Sequence, residues 1–201
     1  MIRVPGGKTQ AEVPAVGSRV PRPEEIFLVP QPILKSLIKL GESLKGVQAK
    51  WAIGGDVGEM MKGVNVTADS IEIITTKAGA EEICRVMAAQ QTVPPADREE
   101  RLGRDADVEG KMLPVYVKSR YAELTVGGVR VKVYGDEQIK VGEWEWGDPL
   151  DFEPDHVYVV GVRVPLVPLR LRSDLDLGLE WLDRVELISE AAMRSHHGQR
   201  R

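Results

Sequence analysis

The pattern of apolar residues points to an α/β chain of the α+β type: a mixed, largely antiparallel sheet with flanking helices. Three observations carry this expectation. Ile33, Leu34, Leu37, Ile38 and Leu40 recur at helical spacing, and comparable spacing returns over 80–90 and 173–193. Two-residue alternation runs through most of 113–141, and a Gly127-Gly128 pair separates two of its segments, which is a hairpin signal. Short apolar runs such as Trp51-Ala52-Ile53 stop at glycine, too soon for a helix and long enough for a buried strand. At 201 residues, 42% hydrophobic and 29% charged, the chain has the length and composition of one soluble globular domain.

Taken in order, residues 1–30 carry Pro5, Pro14, Pro21, Pro23 and Pro30 with Gly6, Gly7 and Gly17, and read as a proline-rich arm with little regular structure. The domain proper is expected over 31–172. It opens with a helix from Gln31-Pro32, where Pro32 suits a first turn and Gly41 or Gly46 supplies a stop. The strand at Trp51 follows, then the Gly54-Gly55 turn and a helical turn over 56–62. Residues 64–75 form a β-rich stretch that sets Ile71 and Ile73 on one face and Ser70, Glu72 and Ile74 on the other.

A helix over 80–90 faces Ile83, Val86 and Met87 inward and closes at Pro94-Pro95. The charged run 97–111 is expected to be a solvated, mobile loop or surface helix. Strands come next: the hairpin of 113–134, then 138–141, then 157–164 beyond an acidic and aromatic loop over 142–154. A helix over 173–194, with Ser173 suited to its N-cap, packs on the domain, and 195–201 is a polar tail.

Composition excludes several function classes. A net charge of −4 argues against indiscriminate coating of nucleic acid, which needs an excess of Lys and Arg. No apolar run approaches the roughly 20 residues that span a bilayer, and no apolar signal core follows Met1, so no membrane role and a cytoplasmic setting are expected. The single Cys84 excludes an internal disulfide and reads as a buried packing residue. Three histidines, His156, His196 and His197, give no zinc-ligand spacing. Gly7-Lys8-Thr9 mimics the end of a phosphate-binding loop, but Ile2 stands where the first glycine belongs.

The segment with chemical content is Gly54-Gly55-Asp56. It lies between a strand and a helix, where bare backbone N–H groups can approach a phosphate. From these residues alone, a tight turn with Asp56 as helix cap explains the segment as well.

The order helix, strand, Gly-Gly, short helix, strand resembles the nucleotidyltransferase superfamily, the fold of DNA polymerase beta. The resemblance rests on Trp51-Ala52-Ile53-Gly54-Gly55-Asp56 and Thr67-Ala68-Asp69-Ser70-Ile71-Glu72-Ile73, with support from Gly128-Val129-Arg130-Val131-Lys132-Val133, and covers residues 33–134. It implies two-metal nucleotidyl transfer, with Mg²⁺ and a nucleoside triphosphate as cofactors. Two carboxylates at alternate positions of one strand would hold the metals, and a third would sit on a neighbouring strand. By the same resemblance Gly54 and Gly55 cradle the phosphates with Asp56, Ser70 and Lys132 beside them. Asp69 and Glu72 are the metal and catalytic acids, and Asp136 is a substitute third acid.

The chain departs from that pattern in three places. Asp56 stands where a serine is usual. Neither register of the strand supplies both acids, because Ser70 or Ile71 takes the place of one. Lys132 takes the place of the third. The expectation is therefore a Glu72–Lys132 ion pair in the cleft where a metal would otherwise bridge acids. Function follows as nucleotide or phosphate binding at the Gly-Gly turn, with transfer weakened or lost. The alternative is a non-catalytic scaffold that holds a protein or RNA partner. That scaffold would use Trp144 and Trp146, or a basic stripe of Lys118, Arg120, Arg130 and Lys132.

Overall fold

The computed structural model describes residues 29–108 and 111–169. The expected N-terminal arm, C-terminal helix and tail lie outside the described residues, apart from Val29 and Pro30 of the arm. Seven strands form one sheet in the order β3-β4-β5-β2-β1-β7-β6. These are β1 (Trp51–Gly54), β2 (Ser70–Thr75), β3 (Gln91–Val108), β4 (Lys111–Val126), β5 (Val129–Val141), β6 (Asp155–Val159) and β7 (Val162–Leu166). Among the described residues, three α-helices accompany them: α1 (Gln31–Ser43), α2 (Gly55–Met60) and α3 (Lys77–Val86). Pairing is antiparallel except between β2 and β5 and between β1 and β7. The expected α+β class with a mixed, largely antiparallel sheet is the architecture found.

The centre of the sheet is amphipathic, and that decides where a site can lie. Ile71, Ile73, Val131, Val133, Ala122 and Leu124 are fully buried in the main core. Two helices close this face through contacts that glycine permits. A Cβ on Gly135 of β5 would come within 2.8 Å of the Thr76 carbonyl and 3.1 Å of Ala80, so the first turn of α3 rests on bare backbone. A Cβ on Gly41 of α1 would meet Val162 of β7 at 2.5 Å. Gly41 is thus a packing position inside α1, which runs on to Ser43 and caps at Leu44. Ser36, buried on α1, donates to the Val126 carbonyl at 2.7 Å and ties the helix to the β4–β5 hairpin.

Several expectations are corrected. The charged run 97–111, expected as a mobile loop or surface helix, is mainly the outer part of β3 and reaches the start of β4. Arg98 pairs with Glu100 at 2.9 Å and lies 4.5 Å over the Tyr121 ring of β4, and Asp97 pairs with Lys77 of α3 at 3.0 Å. A strand with polar residues on both sides has no hydrophobic alternation, and β4 supplies the pairing that sequence cannot announce. Pro94 and Pro95 do not end the strand; the ladder shifts register between Val93 and Ala96 to pass them.

The strand expected over 64–75 begins only at Ser70. The helix expected at 80–90 starts at Lys77, because the Thr76 side chain caps it by accepting from the Gly79 N–H at 3.0 Å. Val86, expected inside, is exposed, while Met87 is buried. Residues 138–141 continue β5 past an irregularity at Asp136, whose φ is +48°. The expected single strand over 157–164 is the β6–β7 hairpin, turned by Val160 and Gly161, both at positive φ.

Candidate functional site

The site is a row of residues directly opposed across four strands. Gly54 of β1 pairs with Glu72 of β2, Glu72 with Lys132 of β5, and Lys132 with Glu123 of β4. Directly opposed residues share a face of a sheet and stand about 5 Å apart. The row therefore gathers a glycine corner and three charged side chains on the face opposite Ile71, Ile73, Val131 and Val133. Apolar alternation in each strand requires this: once the isoleucines and valines enter the core, Glu72 and Lys132 must point the other way.

Gly55 follows the row at the start of α2 with φ +56°, a conformation that glycine adopts without strain. A Cβ there would collide with Oε2 of Glu72 and stand 2.8 Å from its Cδ, so the carboxylate lies against bare backbone. The other oxygen, Oε1, accepts from Lys132 Nζ at 3.3 Å, and both side chains keep roughly a quarter of their surface in solvent. The expected ion pair is present. A small crevice opens beside it, lined by Gly54, Gly55, Gly58, Glu59, Val167 and Leu169. Its wall is held by the Val167 N–H donating to the Ile53 carbonyl at 2.9 Å and by Lys62 donating to the Val167 carbonyl at 2.8 Å. Lys62 also pairs with Asp155, yet burial outweighs that partner and lowers its pKa.

The remaining expected residues fall at graded distances from this row. Asp56 occupies the first turn of α2, half-buried beside the corner, and Ser70 is buried at the start of β2, opposite Arg130. Asp69 is exposed at the bend before β2. Asp136 lies in β5 four residues beyond Lys132, which at about 3.3 Å per residue is about 13 Å along the strand.

The expected basic stripe divides. Arg130 and Lys132 belong to the open face, whereas Arg120 turns to α3 and pairs with Glu81, and Lys118 lies 4.5 Å over the Trp146 ring. Sequence reasoning missed Glu123, which accepts from the Tyr121 hydroxyl. It was within reach: with Gly127-Gly128 as a two-residue turn, counting back from Val126↔Val129 places Glu123 opposite Lys132. Burial first, and the charge of Glu72 next, push the Tyr134 hydroxyl well above its ordinary range.

Two Mg²⁺ ions acting on a triphosphate need carboxylates that converge, and this donor set does not fit them. Glu72 is paired with the Lys132 ammonium, and among the described residues no three or more His, Cys, Asp or Glu side chains form a metal-binding group.

A glycine corner after β1, a charged row on the open face and helices on the other define a nucleotidyltransferase-like fold. A solved structure from Thermotoga maritima, described as a "putative nucleotidyltransferase", shares it with a TM-score of 0.60, over 91% of this chain and 98% of that one. Sequence identity is 24%, so the likeness establishes the fold. No protein-family model and no curated protein sequence matches this chain. Among the described residues, no helix is long and apolar enough to cross a membrane.

Proposed function

We propose that the protein is a cytoplasmic, nucleotidyltransferase-like module that binds a nucleotide or another phosphate ligand at the Gly54–Gly55 corner. The observation that carries this reading is the joint placement of that corner and the Glu72–Lys132 pair on one side of the sheet. Bare backbone at Gly55 allows close approach of an anionic oxygen, and Lys132 offsets the repulsion that Asp56 and Glu72 would otherwise exert. Arg130, exposed on the same face two residues before Lys132, extends the polar surface along β5.

Thermal denaturation with each nucleoside triphosphate, with and without Mg²⁺ or Mn²⁺, tests the reading. Ligand at a hundred times its dissociation constant adds about 2.7 kcal/mol of stability. Stabilisation by nucleotide supports it, and absence of any shift at millimolar nucleotide defeats it. A shift that requires metal and disappears in Glu72→Ala would instead identify Glu72 as a metal-binding acid.

A second reading, a scaffold without catalysis, draws on the outer part of the β4–β5 hairpin. In the loop that follows β5, Trp144 is 60% exposed, and Trp146 lies beneath both Lys118 and Lys140, at 4.5 and 5.2 Å. An RNA or protein partner would contact those rings.

A further inference from the structure

We infer that Lys132, and not a divalent cation, is the positive charge on which the ligand's phosphate docks, with Glu72 as an internal counter-anion that the phosphate displaces. This rests on the reading above that a phosphate-bearing ligand occupies the glycine corner.

Three observations lead to it. Glu72 lays one carboxylate oxygen in the space beside Gly55 that a side chain there would fill, and its other oxygen accepts from Lys132. An anionic ligand oxygen entering the corner would make those same two contacts, so the side chain occupies the place of such a group. The pair is also made for exchange. At 3.3 Å it is longer than the 2.7–2.9 Å of a strong charge-assisted hydrogen bond. Both partners reach solvent, so the carboxylate can swing into water at little cost. Finally, the surroundings supply a second cation and no obvious metal-binding group. Arg130 is exposed two residues before Lys132 on the same face, opposite Ser70. Among the described residues, no three or more His, Cys, Asp or Glu side chains come together as a metal-binding group.

A carboxylate acting as metal ligand and a carboxylate acting as competitor respond to neutralisation with opposite sign. A Glu72→Gln ligand set loses a metal and weakens nucleotide binding. A Glu72→Gln competitor set frees Lys132, removes a repelling charge and tightens binding without metal. Both partners reach solvent, and unit charges about 4 Å apart interact by about 2 RT in bulk water and more at a protein surface, so the change is on the order of tenfold.

Titration calorimetry with ATP, and separately with inorganic triphosphate, in EDTA and in Mg²⁺ reads this directly. Wild type is expected to bind in EDTA, Glu72→Gln about tenfold more tightly, and Lys132→Gln too weakly to measure. Lys132→Arg is expected to retain metal-free binding, which separates loss of charge from loss of fold; circular dichroism of each variant completes that control. Binding by wild type that requires Mg²⁺, or binding that weakens in Glu72→Gln, overturns this inference while leaving phosphate binding at the corner intact. No binding by wild type or Glu72→Gln under either condition overturns the binding reading itself.

Discussion

Gly55→Ala probes the contact on which the site depends, and its cost divides into two parts. The residue is held at φ +56°, where an L side chain is strained by roughly 1–2 kcal/mol. The added Cβ would also stand 2.8 Å from Glu72 Cδ and closer still to Oε2, so the carboxylate must leave. A flexible side chain can do so, but it then gives up Lys132, and a partly exposed ion pair is worth up to about 1 kcal/mol. The sum is about 1–3 kcal/mol. For a chain of this size each kcal/mol lowers Tm by roughly 2–4 °C, so a fall of about 2–12 °C is expected.

The informative measurement is a double-mutant cycle in urea. In a Glu72→Ala background the alanine at position 55 has nothing to evict, and only the backbone cost of about 1–2 kcal/mol remains. The cycle should therefore show a coupling of about 0.5–1 kcal/mol between positions 55 and 72. Coupling below about 0.3 kcal/mol, the usual limit of additivity, would mean that Glu72 does not lean on the glycine corner, and the site geometry would fail with it.

Three further outcomes are expected. Ser36→Ala leaves the buried Val126 carbonyl without its 2.7 Å donor and should cost about 1–2 kcal/mol in denaturant unfolding; a change near zero would show that α1 is not pinned to the hairpin there. The Tyr121 hydroxyl is pushed up to about 12, by burial first and then by the Glu123 carboxylate it donates to, and Tyr134 is raised as well. Unfolded tyrosine releases its proton near 10, so this stability is intact below about pH 10 and is lost as pH rises through about 12; Tyr121→Phe should flatten that fall, and unchanged alkaline melting would contradict it. Burial first, then the charge of Glu81, pushes the Cys84 thiol up to about 11, so the native protein at neutral pH should resist alkylation until it unfolds, and rapid modification of the folded chain would count against the burial.

Much of this molecule was legible in local pattern. Leu37 and Leu40 at helical spacing, Ile71 and Ile73 two apart, and Gly-Gly between alternating runs each report a period that belongs to one element, and each element appears at about the expected place. The glycine corner was legible for the same reason, as was the side of β2 that carries Glu72. β3 was not, because charges on both of its sides erase the alternation and only β4 makes it a strand. The division of the basic stripe was hidden too: α3 turns Arg120 to Glu81, and no residue near Arg120 in sequence signals that helix.

Sequence by itself determined the helices among the described residues, the β4–β5 hairpin and the residue types available to a site, since neighbours in the chain set those. Tertiary structure decided which of them meet. Glu72 and Lys132 stand 60 positions apart and become partners only through the parallel β2–β5 pairing. A parallel ladder has no local turn to fix its register; the burial of the isoleucines and valines on its far side does that.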